Sequence, residues 1–335
     1  MEDQNIDVVG IGNAIVDVIA QTTDGFLIGQ GLQKGSMALI DEDRAHELYR
    51  LMGPAIEASG GSAANTMVGV ASLGGSTSYI GKVRNDVVGD VFAHDMRASG
   101  VGYEVPTSAE GPATGRSLIL VTPDAQRTMN TFLGISSLLE PDDVDAELVK
   151  RGQILFCEGY LWDVESAKQA IRRAMEIARA AGNQVALTTS DSFCVERHHE
   201  EFLDLISGPV DILFANEAEL ATLYRCDFDT AIERVRADVR LGCLTRGPAG
   251  SVLVTATETV EIQAEPVATV VDTTGAGDQY AAGVLFGLAR SLSLAESGRL
   301  GSLAAAEVIS HVGPRPQRAL SDFLAPSGEG PLLHR

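Results

Sequence analysis

Basic side chains are scarce in this chain: 25 Lys and Arg stand against 46 Asp and Glu in 335 residues, a formal charge of −21. Nucleic-acid binders take most of their affinity from cations on phosphates, so no nucleic-acid partner is expected. An anionic membrane surface is disfavoured in the same way. Long apolar runs are also missing; none reaches the ~18 residues a spanning helix needs. Cysteine is sparse: Cys157, Cys194, Cys226 and Cys243 lie far apart and form no CxxC pair. This predicts reduced thiols with neither zinc nor disulfides. The opening Met1–Asn5 lacks the basic start of a signal peptide, and a cytoplasmic location is expected.

What the chain does have is glycine, 35 residues against a usual ~7%. They cluster at Gly10/Gly12, Gly60/Gly61, Gly74/Gly75, Gly247/Gly250 and Gly275/Gly277, as where backbone turns tightly beside a ligand. Near-continuous apolar runs predict buried strands at Ile6–Ile11, Ser78–Ile80, Ser117–Val121, Ile154–Cys157, Gln184–Thr188, Ile212–Ala215 and Ser251–Thr255. Helical spacing predicts helices over 62–73, 88–99, 165–181, 231–241 and 276–290. Strand–helix alternation predicts a doubly wound, mostly parallel α/β sheet with helices on both faces. Residues 18–38 and 105–133 are richer in strand-like sequence and are expected to form a small β lid. The large domain then takes 1–17, 39–104 and 134–325, and 326–335 is a tail.

Two phosphate signatures fail on inspection. Gly10-Ile11-Gly12-Asn13-Ala14-Ile15 starts like a dinucleotide fingerprint but has Ile15 in place of the third glycine. Gly81-Lys82 lacks the Ser/Thr and the first glycine of a P-loop. The strongest site is Asp272-Thr273-Thr274-Gly275-Ala276-Gly277-Asp278, after the apolar run Val267–Val271 and at the start of a helix. Glycines at a helix N-terminus aim amides at an anion, and the dipole adds to them. Asp278, one turn in, suits a general base that takes a hydroxyl proton as the hydroxyl attacks phosphorus. Ordinary capping by Thr274 explains Asp278 but not the two glycines and the second Asp.

This run resembles the C-terminal signature of the PfkB, or ribokinase-like, carbohydrate kinases. Further segments agree in family order: Gly60-Gly61-Ser62-Ala63-Ala64-Asn65, Gly81 to Gly89, Asn216-Glu217-Ala218-Glu219 and Thr245-Arg246-Gly247-Pro248-Ala249-Gly250. The resemblance implies an ATP-dependent phosphotransferase using Mg²⁺. Asp278 would be the base, and the backbone of Gly275, Ala276 and Gly277 would hold the transferring phosphoryl. Asn216 and Glu219 would organise Mg²⁺ and the ATP phosphates through water, although the pair also reads as a capping box. Thr245, Gly247 and Gly250 would line the nucleotide cleft. Asp272 and Thr274 resemble a monovalent-cation (K⁺) loop, with later ligands near His311 and Gly313.

At the acceptor end, Asn13, Ile15, Asp17, Gly60, Gly61, Ser62 and Asn65 are the expected contacts. The two oxygens of Asp17 can accept from neighbouring ribose hydroxyls. The form Gly12-Asn13-x-Ile15-x-Asp17, and Ser62 where sugar-specific members carry Lys, resemble the adenosine kinases. Ile15, Phe132, Tyr160 and Leu161 are expected to flank a base, and Arg127 to approach phosphate. The expected activity is adenosine kinase. A sugar kinase of the ribokinase, fructokinase or keto-deoxygluconate type, an inosine/guanosine kinase, and a non-catalytic nucleotide sensor are the alternatives. A monomer and a homodimer both stay open.

Overall fold

The computed structural model describes residues 5–104, 107–124 and 126–324, and the expected tail lies outside them. Fourteen strands are present among the described residues: β1 (Ile6–Ile11), β2 (Ile15–Gln21), β3 (Met37–Leu39), β4 (Ala55–Gly60), β5 (Thr77–Ile80), β6 (Val101–Gly102), β7 (Gly115–Val121), β8 (Arg127–Phe132), β9 (Gly152–Glu158), β10 (Gln184–Thr188), β11 (Ile212–Asn216), β12 (Leu241–Thr245), β13 (Ser251–Val254) and β14 (Thr259–Ile262). Nine form one sheet in the order β14-β13-β12-β11-β10-β9-β1-β5-β6. All neighbours from β12 to β6 are parallel, and the β12-β13-β14 edge is antiparallel.

Successive residues of a strand face opposite sides, and both sides are apolar here. Val9 and Leu155 join Trp162, Ala170, Ile171 and Ala174 in one layer under the helix Glu165–Ala180. Val8 and Ile154 join Met67, Tyr79, Phe286 and Leu300 in the other, under the helices Ser62–Ser72, Ala276–Ala289 and Leu294–Val308. This is the doubly wound α/β architecture that strand–helix alternation predicts.

The remaining strands form a second sheet, β3-β8-β7-β2-β4. Val18, Leu118 and Phe132 on one of its faces pack on Ala45 and Leu48 of the helix Glu42–Leu51. Ile15, Asp17 and Ile19, two residues apart in β2, stand on the other, in register with Gly115, Ser117 and Ile119.

Four expectations need correction. β4 was placed with the large domain, yet it pairs antiparallel with β2 and so belongs to the small sheet. The segment 18–38 also holds a helix, Asp24–Gly29, capped by the Thr23 hydroxyl. The helix expected over 231–241 is Phe228–Asp238, and Leu241 starts β12 instead. Val267–Val271 forms no strand: Val270 and Val271 are exposed, and the Val271 amide is spent on the Ile309 carbonyl. The helix Leu294–Val308 was unforeseen, although Ser293 and Glu296 make a reciprocal capping box at its start.

The chain leaves β1 for β5 on one side of the sheet, while β9 lies on the other. A crevice opens at the carboxyl ends of strands where the order reverses in this way. Gly12-Asn13 and Glu158 stand at that point.

Candidate active site

Two helices meet at the crevice. Gly275 caps Ala276–Ala289 with φ +78°, and a Cβ there would lie 2.5 Å from the Pro314 carbonyl oxygen, so only glycine fits. The first intrahelical bond runs from the Gln279 amide to the Gly275 carbonyl, 2.8 Å. The amides of Gly277 and Asp278 thus have no intrahelical acceptor, and a Cβ on Gly277 would meet nothing within 4 Å. Ala276 differs from expectation: its amide donates to the Thr273 carbonyl at 3.2 Å.

Asp278 stands in the first turn. The opposing helix Ser62–Ser72 presents Ser62 and Asn65, three residues apart and so on one face. Ser62 Oγ donates to Asp278 Oδ1 (2.7 Å) and Asn65 Nδ2 donates to Oδ2 (3.1 Å). These two residues, expected against substrate, therefore hold the Asp278 carboxylate. Desolvation outweighs both bonds and the nearby Arg315 charge, and lifts the Asp278 carboxyl to about 6.

Arg315 was missed in the sequence. Its Nε donates to Asn65 Oδ1 at 3.1 Å and its Nη1 donates to Ser59 Oγ. This fixes which end of the Asn65 amide faces Asp278. Burial lowers the guanidinium to about 10, against the pull of Asp17, Asp95 and Asp278. Gln279 Nε2 supports the arrangement by donating to the carbonyls of Asn65 (3.0 Å) and Pro314 (3.1 Å). Pro314-Arg315-Pro316 was the readable signal: two prolines restrict the backbone around one arginine.

Asp17 is 6% exposed and accepts no hydrogen bond among the described residues. Burial pushes its carboxyl up to about 7; Arg315 and Arg127 lower it, and Asp278 raises it. The glycine pair makes room for this side chain and for Asn13. A Cβ on Gly60 would lie 2.5 Å from the Asp17 carboxylate, and one on Gly61 (φ +95°) would lie 2.3 Å from the Asn13 carbonyl oxygen. Ile15 flanks them, half-buried.

Asn13 turns inward rather than to a ligand. Its Nδ2 donates to Glu158 Oε1 (3.0 Å) and its Oδ1 accepts from Ser136 Oγ (3.0 Å). Glu158 Oε2 also accepts from the Ala63 amide at 2.8 Å, at the N-terminus of the Ser62 helix. Burial, opposed by these donors, brings the Glu158 carboxyl to about 7. Glu158 thus ties β1, β9 and the helix that holds the base. Replacing Glu158 by Gln turns one acceptor oxygen into a donor facing an N–H. A loss of about 1–3 kcal/mol in unfolding free energy is expected in urea titration.

Of the four residues expected to flank a base, Ile15 stands beside Gly61 at the acceptor pocket, and the other three are engaged elsewhere. Phe132 packs with Val18 and Leu118, on the face that the helix Glu42–Leu51 covers. Leu161 is buried beside Trp162 in the core. Tyr160 is turned to Ser190: its hydroxyl donates to the Ser190 carbonyl (3.5 Å) and its amide to Ser190 Oγ (3.1 Å). All three carry apolar surface, which the core of the small sheet claims for Phe132 and the core of the large domain for Leu161 and Tyr160.

The nucleotide residues lie along neighbouring strand ends, Asn216 in register with Thr245. Asn216 and Glu219 form a reciprocal capping box, and Glu219 also accepts from Thr189 Oγ1 at 2.5 Å. The buried Glu219 carboxylate is thereby satisfied, and contact with a Mg²⁺ ion would pass through water. Gly247 (φ +53°) and Gly250 (φ +84°) bracket the turn after β12. A Cβ on Gly250 would lie 2.0 Å from the Ile262 carbonyl oxygen. Tyr280 OH donates to Ser251 Oγ, or accepts from it, at 2.9 Å, joining the Asp278 helix to the hairpin beyond that turn.

The Asp272 loop differs from the expected cation site. Arg127 of β8 bonds Asp272 Oδ2, and its Nη1 donates to Thr274 Oγ1 at 2.7 Å. Asp272 also accepts from the amides of Thr274 (3.0 Å) and Gly313 (2.8 Å). Asp272 and Thr274, expected at a K⁺ site, are thus both engaged by one guanidinium.

A carboxylate held beside free amides at a helix N-terminus, at the switch point of a doubly wound sheet, fits a small-molecule kinase that transfers the ATP γ-phosphoryl to an alcohol. The chain belongs to the pfkB family carbohydrate kinases, whose family model matches residues 55–319. Its structure is similar to that of an adenosine kinase from Sinorhizobium meliloti, with a TM-score of 0.90 and 51% identity over 95% of this chain and 98% of that one. It is equally similar to a probable sugar kinase protein from Rhizobium etli CFN 42, with a TM-score of 0.90 and 47% identity over 95% and 97% of the two chains. In sequence it is 26% identical over 281 residues to a 5-dehydro-2-deoxygluconokinase from Geobacillus kaustophilus, covering 79% of this chain and 84% of the relative. No helix among the described residues is long and apolar enough to cross a membrane.

Proposed function

We propose that this chain is an adenosine kinase, converting adenosine and ATP to AMP and ADP. The observation that carries the acceptor is Asp17: a buried carboxylate without a donor among the described residues, set on the sheet face beside Gly60 and close in charge to Asp278. Burying such a group is costly unless a ligand supplies hydrogen bonds. A ribose supplies two adjacent hydroxyls, which the two carboxylate oxygens can accept together. The 51% identity to a protein named adenosine kinase supports a nucleoside in particular.

In the reaction, the 5′-hydroxyl gives its proton to Asp278 as its oxygen bonds the γ-phosphorus in line and the bond to the β–γ bridging oxygen breaks. Charge on the phosphoryl oxygens falls to the Gly277 and Asp278 amides and the helix dipole. Mg²⁺ bound to the ATP phosphates would neutralise charge there, with Asn216 and Glu219 reaching it through water and Thr245, Gly247 and Gly250 along the nucleotide. The small sheet acts as a lid that excludes water.

A sugar acceptor is the second reading, favoured by the same Asp17 geometry, since a sugar diol fits a carboxylate as well. Ligand-induced stabilisation separates the two. Adenosine is expected to raise the melting temperature, with ribose, fructose and 5-dehydro-2-deoxygluconate leaving it unchanged. Stabilisation by one of the sugars and not by adenosine would replace the first reading with the second.

A further inference from the structure

We propose that Arg127 is the built-in cation of the phosphate-binding loop, a positioning residue that makes the kinase independent of monovalent cations. The inference rests on the kinase reading above. Arg127 opens β8 of the small sheet, while Asp272 and Thr274 lead into the Gly275–Gly277 turn of the large domain. The guanidinium spans the two, bonding the Asp272 carboxylate and the Thr274 hydroxyl at once. Both partners of the ion pair are buried, with 9% and 3% of their side chains exposed.

The donors around Asp272 decide what the position accepts. A K⁺ ion needs a shell of oxygens. Here the carboxylate meets two backbone amides and a guanidinium, all electropositive groups that repel a second cation. Arg127 therefore supplies the charge that a bound ion would otherwise bring, and its planar fork holds two acceptors in fixed geometry. The fork belongs to the small sheet, so the loop is ordered when that sheet lies against the large domain. Closure and the shaping of the anion site become one event.

Three arms test this. In the wild-type enzyme, exchanging K⁺ or Na⁺ for tetramethylammonium at constant ionic strength is expected to leave kcat unchanged. Arg127→Ala is expected to lower kcat by about 10²-fold, the cost of a small misplacement at the reacting centre. It should also speed hydrogen exchange at the Thr274 and Gly313 amides and recover activity with added guanidinium or K⁺. Arg127→Lys, which keeps the charge but not the fork, should fall between and stay independent of K⁺. Wild-type kcat falling about ten-fold or more without K⁺ would overturn the proposal, as would Arg127→Ala with unchanged kcat and exchange. Should no acceptor support ADP release by the wild type, the kinase reading fails by itself, and the exchange arm still decides whether Arg127 orders the loop.

Discussion

Asp278→Asn is expected to lower kcat by about 10²- to 10⁴-fold, the range that general-base catalysis contributes. The substitution keeps the size of the side chain and one acceptor oxygen for Ser62, while its amide meets the Asn65 donor; about 1–3 kcal/mol of stability should be lost with the acceptor pocket retained. Adenosine affinity, read by thermal stabilisation, should change little. A loss confined to kcat marks an interaction made in the transition state rather than in binding. The pH dependence follows from the same group. With the carboxyl lifted to about 6 by burial, the base is protonated in acid and ionised at neutral pH. Thus kcat/KM should rise with pH through about 6 to 7, as Asp278 and then Asp17 ionise, and the Asp278→Asn enzyme should keep only the Asp17 part of that limb. A variant that turns over normally would remove Asp278 as the base.

Asp17→Asn should act on the acceptor instead. Two hydrogen bonds to a charged oxygen, at about 1.5–3 kcal/mol each, correspond to about 10²- to 10⁴-fold in kcat/KM. Most of it should appear in KM, since the ribose hydroxyls are remote from the phosphorus. The sharper readout is discrimination. The wild type should favour adenosine over 2′-deoxyadenosine, and Asp17→Asn should erase much of that ratio. An unchanged ratio would mean that Asp17 is buried for a reason other than the diol.

Much of the fold was legible because parallel sheets are written in continuous apolar runs. Ile6–Ile11, Gln184–Thr188 and the helix at Glu165 fall where the spacing puts them. β4 was not, because Ile56, Glu57 and Ala58 carry no strong strand pattern and the pairing partner lies far away in sequence. The site was legible where one segment carries the chemistry, as at Gly275–Asp278. It was not legible where function comes from distant contacts. Arg315 reaches Asn65 across 250 residues and Arg127 reaches Asp272 across 145. Neither distance has a local signature. The side chains singled out to flank a base failed for a related reason: apolar residues serve cores as readily as ligands, and only packing separates the two uses.

The charge of −21 takes on a different meaning with these two arginines in place. Backbone amides, a helix dipole and Mg²⁺, with Arg127 nearby, are the groups expected to hold the phosphates. The structure brings two buried guanidinium groups to the crevice, one fixing the base through Asn65 and one fixing the loop through Asp272. These two cations lie among Asp17, Asp95, Asp272 and Asp278, and so offset part of the negative charge that the crevice itself carries.

The central claim is the acceptor, and ADP release measured across adenosine, inosine, guanosine, ribose, fructose and 5-dehydro-2-deoxygluconate tests it most directly. The account predicts kcat/KM for adenosine above that of every sugar by about 10²-fold or more, as expected when a site is built around a group that the competitor lacks. A sugar that outpaces adenosine, or ADP release that no acceptor stimulates, would contradict it.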